Sequence, residues 1–266
     1  MDEYRRSNQS MWDEFTHINA ASRMYDLAGF KAGRNALHAL ELDEVGPVAG
    51  KSLLHLQCHF GMDTLSWARL GARVTGVDFS PEAIRLARSL ADELELPARF
   101  ITCDLYDLPQ HLDETFDVVF TSYGALTWMP DIPAWARIAA GYVRPGGTFY
   151  IAEFHPGSYI FAEKTDGWEV AYDYFDPGVI SFPVEGSYAD RSAPTQARTS
   201  YEWNYPLGKV VSSLIDAGLR VEFLHEFEHT LHAQFQFLVE GEDGLWRVPP
   251  GMPRVPLMFS LRATKA

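Results

Sequence analysis

Cysteine is scarce in this sequence, and long apolar runs are absent. The two cysteines among 266 residues, Cys58 and Cys103, cannot build a disulfide framework or a four-cysteine zinc site. No stretch of 18 apolar residues occurs, and the first ten residues, MDEYRRSNQS, lack the apolar segment of a signal peptide. We therefore expect a soluble, cytoplasmic protein with no membrane partner and no metal site.

Basic residues are also few. The chain has 22 Lys and Arg against 36 Asp and Glu, a net charge of −14. Such a surface repels a phosphate backbone, so we expect no nucleic-acid partner. A hydrophobic content of 47% over 266 residues is enough to bury the core of one large domain. These properties leave the oligomeric state open.

One stretch indicates a nucleotide site. Residues 53–78 read LLHLQCHFGMDTLSWARLGARVTGVD: an apolar strand, a short loop ending in Gly61, a helix, and a second strand ending on Asp78. This is the layout of a nucleotide-binding βαβ unit with an acid about 20 residues past the loop. A carboxylate at that strand end can accept hydrogen bonds from both hydroxyls of a ribose.

The loop itself argues against a dinucleotide. It contains one glycine, whereas a nicotinamide-dependent dehydrogenase would show G-x-G-x-x-G. The stretch resembles instead the first motif of class I S-adenosylmethionine-dependent methyltransferases. In that comparison Gln57 and His59 replace the first two glycines, Gly61 keeps the third, and His55 stands where the family usually has an acid. The sequence LHLQCHFG resembles the first motif of one bacterial subgroup of that family.

The remaining pattern predicts the fold. Further strands are expected at 99–103, 116–121 and 148–153, with helices from 81 and from 131 to 142 and a turn at 145–147. A helix at 207–217, a strand at 220–229 and an antiparallel last strand at 256–263 follow. We expect an α/β protein, a Rossmann-like doubly wound seven-stranded sheet that is mostly parallel.

We expect a single methyltransferase domain over residues 1–266. Residues 1–45 form an N-terminal helical cap, 46–155 the cofactor-binding core, and 206–266 the C-terminal part of the sheet. Residues 156–205 form an aromatic-rich, acid-rich insertion after the fifth strand, interpreted as a lid over the acceptor. An oligomer interface is the alternative for the insertion.

The resemblance implies S-adenosyl-L-methionine as cofactor, S-adenosyl-L-homocysteine as product, and a set of site residues. The implied cofactor-binding residues are Trp12, Tyr25, Gln57, Cys58, His59, Gly61, Asp78, Phe79, Asp104, Leu105 and Thr121. Asp104 would accept a bond from the adenine amino group, although it could merely cap a turn. The expected acceptor-binding residues are Tyr123, Trp128, Tyr174 and Trp203.

The predicted reaction is methyl transfer to a small-molecule acceptor, with oxygen or nitrogen favoured. Cyclisation or carbon methylation with the same cofactor, and a non-catalytic binding module, are the alternatives. Glu153 and His155 share a face at the end of the fifth strand, so one of them, preferably His155, could be a general base. Equally, Glu153 could anchor the lid and His155 could serve a turn.

A metal site at the C-terminal histidines is disfavoured. His225 and His229 lie in a predicted strand, where four residues span about 13 Å, too far for one ion.

Overall fold

The computed structural model describes residues 2–175 and 178–266. Several of its helices begin at residues whose side chains cap the helix N-terminus. The side chain of Ser80 accepts a hydrogen bond from the Ala83 amide (3.0 Å), and Pro81 follows at the first helical position. Asp131 accepts from the Ala134 amide in the same way (2.9 Å). Both helices therefore begin where the sequence predicted.

The helices are α1 (Glu3–Ala21), α2 (Leu27–Lys31), α3 (Ala39–Val45), α4 (Met62–Arg69), α5 (Pro81–Glu93), α6 (Ile132–Tyr142) and α7 (Leu207–Asp216), with short 3-10 helices at Leu105–Gln110, Leu126–Trp128 and Ser158–Ile160. The strands are β1 (Ser52–Leu56), β2 (Arg73–Asp78), β3 (Ala98–Thr102), β4 (Phe116–Ser122), β5 (Val143–Phe154), β6 (Val179–Pro183), β7 (Thr199–Trp203), β8 (Leu219–Phe227), β9 (His229–Thr230), β10 (Val239–Glu240), β11 (Trp246–Arg247) and β12 (Met258–Lys265).

Seven strands form the main sheet in the order β3-β2-β1-β4-β5-β12-β8. The strands from β3 to β5 are parallel, and β12 runs antiparallel to both β5 and β8. The predicted Rossmann-like sheet with an antiparallel last strand is confirmed. The chain order reverses between β1 and β4, and ligands of such sheets bind outside the carboxyl ends of the strands at that point.

Both faces of the sheet are covered because its strands alternate between two apolar clusters. Leu54 packs in the cluster that contains Trp135 of α6, whereas Leu53 packs with Trp67 of α4 on the other face. All four side chains are fully buried. The covered faces leave the carboxyl edge of the sheet as the place for a site.

Two predicted boundaries are wrong. Strand β5 begins at Val143, directly after α6, so residues 145–147 lie inside the strand at a register shift and not in a separate turn. Strand β8 ends at Phe227, and His229 belongs to a small antiparallel sheet of order β10-β11-β9 that the sequence did not predict. In both places the strand pairing, which depends on distant residues, decides the boundary.

The N-terminal helix crosses the carboxyl end of the sheet and joins the insertion. Asn8 donates to the Tyr201 carbonyl (2.6 Å) and accepts from the Tyr201 amide (2.9 Å). Glu14 accepts from the amides of Gln196 (2.7 Å) and Ala197 (2.9 Å). Helix α1 and the β6–β7 hairpin therefore form one cover. No helix among the described residues is long and apolar enough to cross a membrane.

Candidate active site

A cavity of about 430 Å³ lies at the carboxyl ends of β1, β2, β3 and β4, beneath α1 and the insertion. A volume of this size is typical of a small-molecule site. Twelve of the predicted site residues line it: Trp12, Tyr25, Gln57, Cys58, His59, Gly61, Asp78, Phe79, Asp104, Leu105, Tyr123 and Trp128. The sheet thus brings together residues that are up to 116 positions apart in the chain, from position 12 to position 128.

The loop after β1 has a left-handed backbone at three positions. Gln57 (φ 58°) and His59 (φ 50°) adopt the conformation that glycine favours, and so does Gly61 (φ 79°). A Cβ at Gly61 would come within 2.9 Å of the Phe100 ring, so only glycine fits there. The loop therefore keeps the conformation of a glycine-rich turn although two of its residues carry side chains into the cavity.

Asp78 connects this loop to the next helix. Its carboxylate accepts hydrogen bonds from the His59 amide (2.8 Å) and the Ser80 amide (2.9 Å), one at each oxygen. Burial raises the pKa of Asp78 to about 6, although these amides act in the opposite direction. At neutral pH the carboxylate is mainly ionised. Since each oxygen has two lone pairs, both can accept a further bond from a ligand in the cavity.

Asp104 lies at the carboxyl end of β3 and has two partners. It accepts from the Tyr106 amide (3.0 Å), which caps the following 3-10 helix, and from Arg5 Nη1 of α1 (2.8 Å). It therefore caps a turn and lines the cavity at the same time. The sequence analysis missed Arg5, because no local pattern links a residue of the first helix to the third strand.

Several buried polar atoms of the cavity wall lack a hydrogen-bond partner in the described part of the chain: Trp12 Nε1, Gln57 Oε1, His59 Nε2 and His232 Nδ1. Buried polar groups are rarely left in this state, so a polar ligand would satisfy them. Burial lowers the pKa of His59 to about 3, so its ring is neutral. Together with Asp78, these atoms fit a nucleoside ligand that has both donors and acceptors.

Comparison with known proteins decides the family. Residues 53–147 match the model of a methyltransferase domain. The chain is 31% identical over 165 residues to the ubiquinone biosynthesis O-methyltransferase of Xanthomonas oryzae pv. oryzae, which covers 61% of this chain and 68% of that protein. The chain belongs to the class I S-adenosylmethionine-dependent methyltransferases. It is an enzyme, and S-adenosylmethionine is its cofactor.

Solved structures show the same fold. An S-adenosylmethionine-dependent methyltransferase from Mesorhizobium loti aligns with a TM-score of 0.60 at 22% identity, over 88% of this chain and 100% of that one. The glycopeptide N-methyltransferase MtfA in complex with S-adenosylmethionine aligns with a TM-score of 0.54 at 17% identity, over 84% and 90% of the two chains.

Glu153 of this methyltransferase does not line the cavity. Its carboxylate accepts hydrogen bonds from four backbone amides, those of Gly124, Ala125 (2.7 Å), Leu126 (3.0 Å) and Phe154 (2.7 Å). These bonds use its acceptor capacity and fix the loop after β4. The expectation that Glu153 could be a general base loses its geometric support.

His155 does not line the methyltransferase cavity either. Its Nδ1 accepts from the Gly157 amide (3.0 Å), and its Nε2 lies 2.9 Å from Glu226 Oε1 of β8. The ring therefore lies between the Gly157 amide and Glu226, away from the cavity wall. His155 stays a predicted base, but in the structure its ring lies beside Gly157 and Glu226 and not at the cavity.

Three more predicted residues lie elsewhere. Thr121 is fully buried in β4, because alternation turns its neighbour Ser122 to the cavity instead. The Tyr174 hydroxyl accepts from the Leu207 amide (2.9 Å), at the start of α7. Trp203 lines a separate small void beside Glu153.

Other cavity residues were not predicted. Ser122 donates to Asp63 Oδ2 (3.1 Å) at the start of α4 and lies 3.3 Å from His55 Nε2. Glu163 and Glu202 of the insertion and His232 from the segment after β9 line the cavity as well. The only sequence signal for the two glutamates was the excess of acids in the insertion. Among the described residues, no group of three or more His, Cys, Asp or Glu could hold a metal ion, and His225 pairs with Glu44 (2.7 Å).

Proposed function

We propose that this methyltransferase transfers a methyl group from S-adenosylmethionine to an oxygen or nitrogen atom of a small molecule held in the same cavity. The observation that carries this proposal is the single cavity of about 430 Å³, which contains Asp78 and residues of the insertion. Cofactor and acceptor would share one space covered by α1. We also propose that the chain belongs to the subgroup whose first motif contains the sequence LHLQCHFG.

Asp78 would hold the ribose of the cofactor. Its carboxylate lies at the tip of β2, and both oxygens have lone pairs left after binding the amides of His59 and Ser80. Asp104 and Leu105, at the tip of β3, would contact the adenine. The loop from Gln57 to Gly61 would lie along the methionine part, because it borders the cavity at the end of β1 and Gly61 has no side chain to block the approach of a ligand.

Aromatic residues of α1 and the loop after β4 would cover the cofactor. The Trp12 ring lies edge-on to His59 (5.1 Å between centroids) and to Trp128 (5.4 Å). Tyr25 and Tyr188 meet through their hydroxyl groups across the cover. Electron-rich ring faces attract cations, so this wall suits a positively charged ligand.

The bound cofactor supplies a methyl group on a positively charged sulfur atom. The residues of this chain would align the acceptor with that group and exclude water, a proximity effect that supplies several kcal/mol. The cover formed by α1 and the β6–β7 hairpin suits this task, since hydrogen bonds such as Asn8–Tyr201 make the two elements act together. We propose that this cover is the lid of the active site.

The acceptor region of the cavity consists of the residues contributed by the loop after β4, the insertion and the segment after β9: Thr127, Trp128, Tyr159, Glu163, Tyr188, Glu202 and His232. Its carboxylates would repel a diphosphate. The fold alone is shared with a geranyl diphosphate C-methyltransferase from Streptomyces coelicolor (TM-score 0.55, 12% identity). The Xanthomonas relative is named an O-methyltransferase. The carboxylates therefore disfavour a diphosphate acceptor, and the name of the relative favours an oxygen acceptor over carbon.

Calorimetric titration with S-adenosylhomocysteine, followed by acceptor screening with methyl-labelled S-adenosylmethionine, tests the proposal. We expect one bound S-adenosylhomocysteine per chain and label incorporation into a small molecule. Binding without transfer to any oxygen or nitrogen compound, together with label on carbon, would contradict it.

A further inference from the structure

In the described part of the chain, the Glu202 carboxylate of the acceptor region accepts hydrogen bonds from hydroxyl groups alone. On β7, its Oε1 accepts from Ser200 Oγ (3.1 Å) and its Oε2 from Thr127 Oγ1 (3.4 Å). Within the described residues, no lysine or arginine pairs with this carboxylate. Buried carboxylates usually have a cationic partner or several strong donors. Glu202 therefore has acceptor capacity left toward the cavity.

The described part of the cavity wall contains two arginines and no lysine, and both arginines already have acid partners. Arg5 binds Asp104 (2.8 Å), and Arg34 binds Asp26 (3.0 Å). Glu163 also lines the cavity and lies near Glu202, but its own charge is paired with Arg191 (3.2 Å), so Glu202 is the carboxylate left without a cation.

His232 gives a second indication of a ligand. It lines the same region, and its buried Nδ1 has no hydrogen-bond partner in the described part of the chain. Burial lowers the pKa of His232 to about 4, so the ring is neutral and does not compensate the glutamates. Its ring lies edge-on to Phe154 (4.9 Å between centroids) and within 6.5 Å of the Tyr188 ring. The region thus combines negative charge, an unsatisfied polar atom and aromatic faces.

We propose that the acceptor is a small molecule with a primary or secondary amine, and that Glu202 binds the nitrogen that becomes methylated. This inference rests on the proposed methyl transfer. An ammonium group offers the charge and the N–H donors that the Glu202 carboxylate lacks, and its alkyl or aromatic body fits the rings of Trp128 and Tyr159.

The contact between the ammonium group and Glu202 also explains how the acceptor nitrogen loses its proton. The ammonium nitrogen gives one proton to the Glu202 carboxylate and becomes a neutral nucleophile. The nitrogen then forms a bond to the methyl carbon while the carbon–sulfur bond breaks, and that electron pair stays on sulfur. The methylated ammonium leaves, and the Glu202 carboxylic acid loses its proton to water. Burial and the nearby Glu163 raise the pKa of Glu202 to about 7, a suitable value for a general base at neutral pH.

Binding of matched probes tests the inference. With the enzyme saturated with S-adenosylhomocysteine, we would titrate 2-phenylethylamine, 2-phenylethanol and 3-phenylpropanoate, which share one aromatic skeleton. We expect the amine to bind at least about tenfold more tightly than the other two, since a charge-assisted bond is worth that much. Equal affinities, no measurable binding of the amine, or preference for the alcohol or the carboxylate would overturn it.

The variant Glu202→Gln keeps the size of the side chain and removes its charge. We expect it to weaken amine binding by roughly 10- to 100-fold, and to leave S-adenosylhomocysteine affinity within about twofold. Glu185→Gln is the matched control, because Glu185 lies in the same insertion and pairs with Lys164 at the surface (3.1 Å). Unchanged amine affinity in Glu202→Gln would overturn the assignment.

Two readouts keep the outcomes separate. Melting curves show whether Glu202→Gln folds, and Glu202→Asp, which keeps the charge but shortens the side chain, replaces it if it does not. An intermediate loss of amine affinity is expected for Glu202→Asp, and no loss would overturn the assignment. Absence of S-adenosylhomocysteine binding in the wild type would refute the proposed function itself, whereas a failed amine preference with intact cofactor binding refutes only this inference.

Discussion

Replacing Asp78 with alanine removes the carboxylate proposed to hold the ribose. In the structure this carboxylate is buried and accepts one amide at each oxygen, from His59 and Ser80. The ribose hydroxyls would add bonds to an ionised acceptor, and such bonds are worth about 1.5–3 kcal/mol. The dissociation constant of S-adenosylhomocysteine should therefore rise roughly 10- to 150-fold in Asp78→Ala.

Calorimetry measures this loss directly. Asp92→Ala is the control, since Asp92 is an exposed acid on α5 that does not line the cavity. Melting curves should show that both variants fold, because a strand-end acid contributes little to the apolar core. If Asp78→Ala folds and binds S-adenosylhomocysteine like the wild type, the ribose does not lie at Asp78 and the reasoning is refuted.

Three further predictions follow from the geometry. Gly61→Ala should lower the free energy of unfolding by about 1–3 kcal/mol, because Gly61 has a positive φ and an added Cβ would lie 2.9 Å from the Phe100 ring. Gly141→Ala, in open space on α6, should raise it by up to about 1 kcal/mol. Equal melting temperatures of the two variants would contradict this. Glu153→Gln should lower the melting temperature, because it weakens the hydrogen bonds that fix the loop after β4. His155→Ala should change turnover less than about threefold, because His155 contacts Glu226 and not the cavity. A rate loss of about 10²-fold in His155→Ala would instead support it as the base. Burial raises the pKa of Asp78 to about 6, so its carboxylate becomes protonated as the pH falls from 7 to 5. The affinity for S-adenosylhomocysteine should therefore drop about tenfold over that range. An affinity that does not change with pH would contradict this.

The sheet was predictable because its signals are local. An apolar strand followed by Gly61, a strand ending on Asp78, and the Ser80-Pro81 helix start each occupy a few consecutive residues. Parallel strands connected by helices bring their carboxyl ends to one edge, so the position of the nucleotide site followed from the fold. The family resemblance rested on the same stretch.

Apart from Trp128 and the position of the insertion, the contacts of Arg5 and of the proposed acceptor region were not predictable, because they join distant parts of the chain. Arg5 reaches Asp104 across 99 residues, and Glu202 meets Thr127 across 75. No periodicity or spacing in the sequence encodes such pairs. The segment after β9, which supplies His232, has no regular pattern and was placed in no element.

The surroundings of the two predicted base candidates could not be foreseen for a related reason. Alternation showed that Glu153 and His155 share a face of β5, but it could not show which neighbours meet that face. In the fold, Glu153 turns to the amides of the loop after β4, and Glu226 of β8 meets His155. Strand order, which depends on long-range pairing, decides which strand end opens onto the cavity.

A crystal structure of the complex with S-adenosylhomocysteine tests the central claim most directly. The account predicts the ribose hydroxyls within hydrogen-bond distance of the Asp78 carboxylate, the adenine beside Asp104 and Leu105, and the sulfur facing the region that contains Trp128 and Glu202. S-adenosylhomocysteine bound outside this cavity, or with its ribose more than about 4 Å from Asp78, would contradict it.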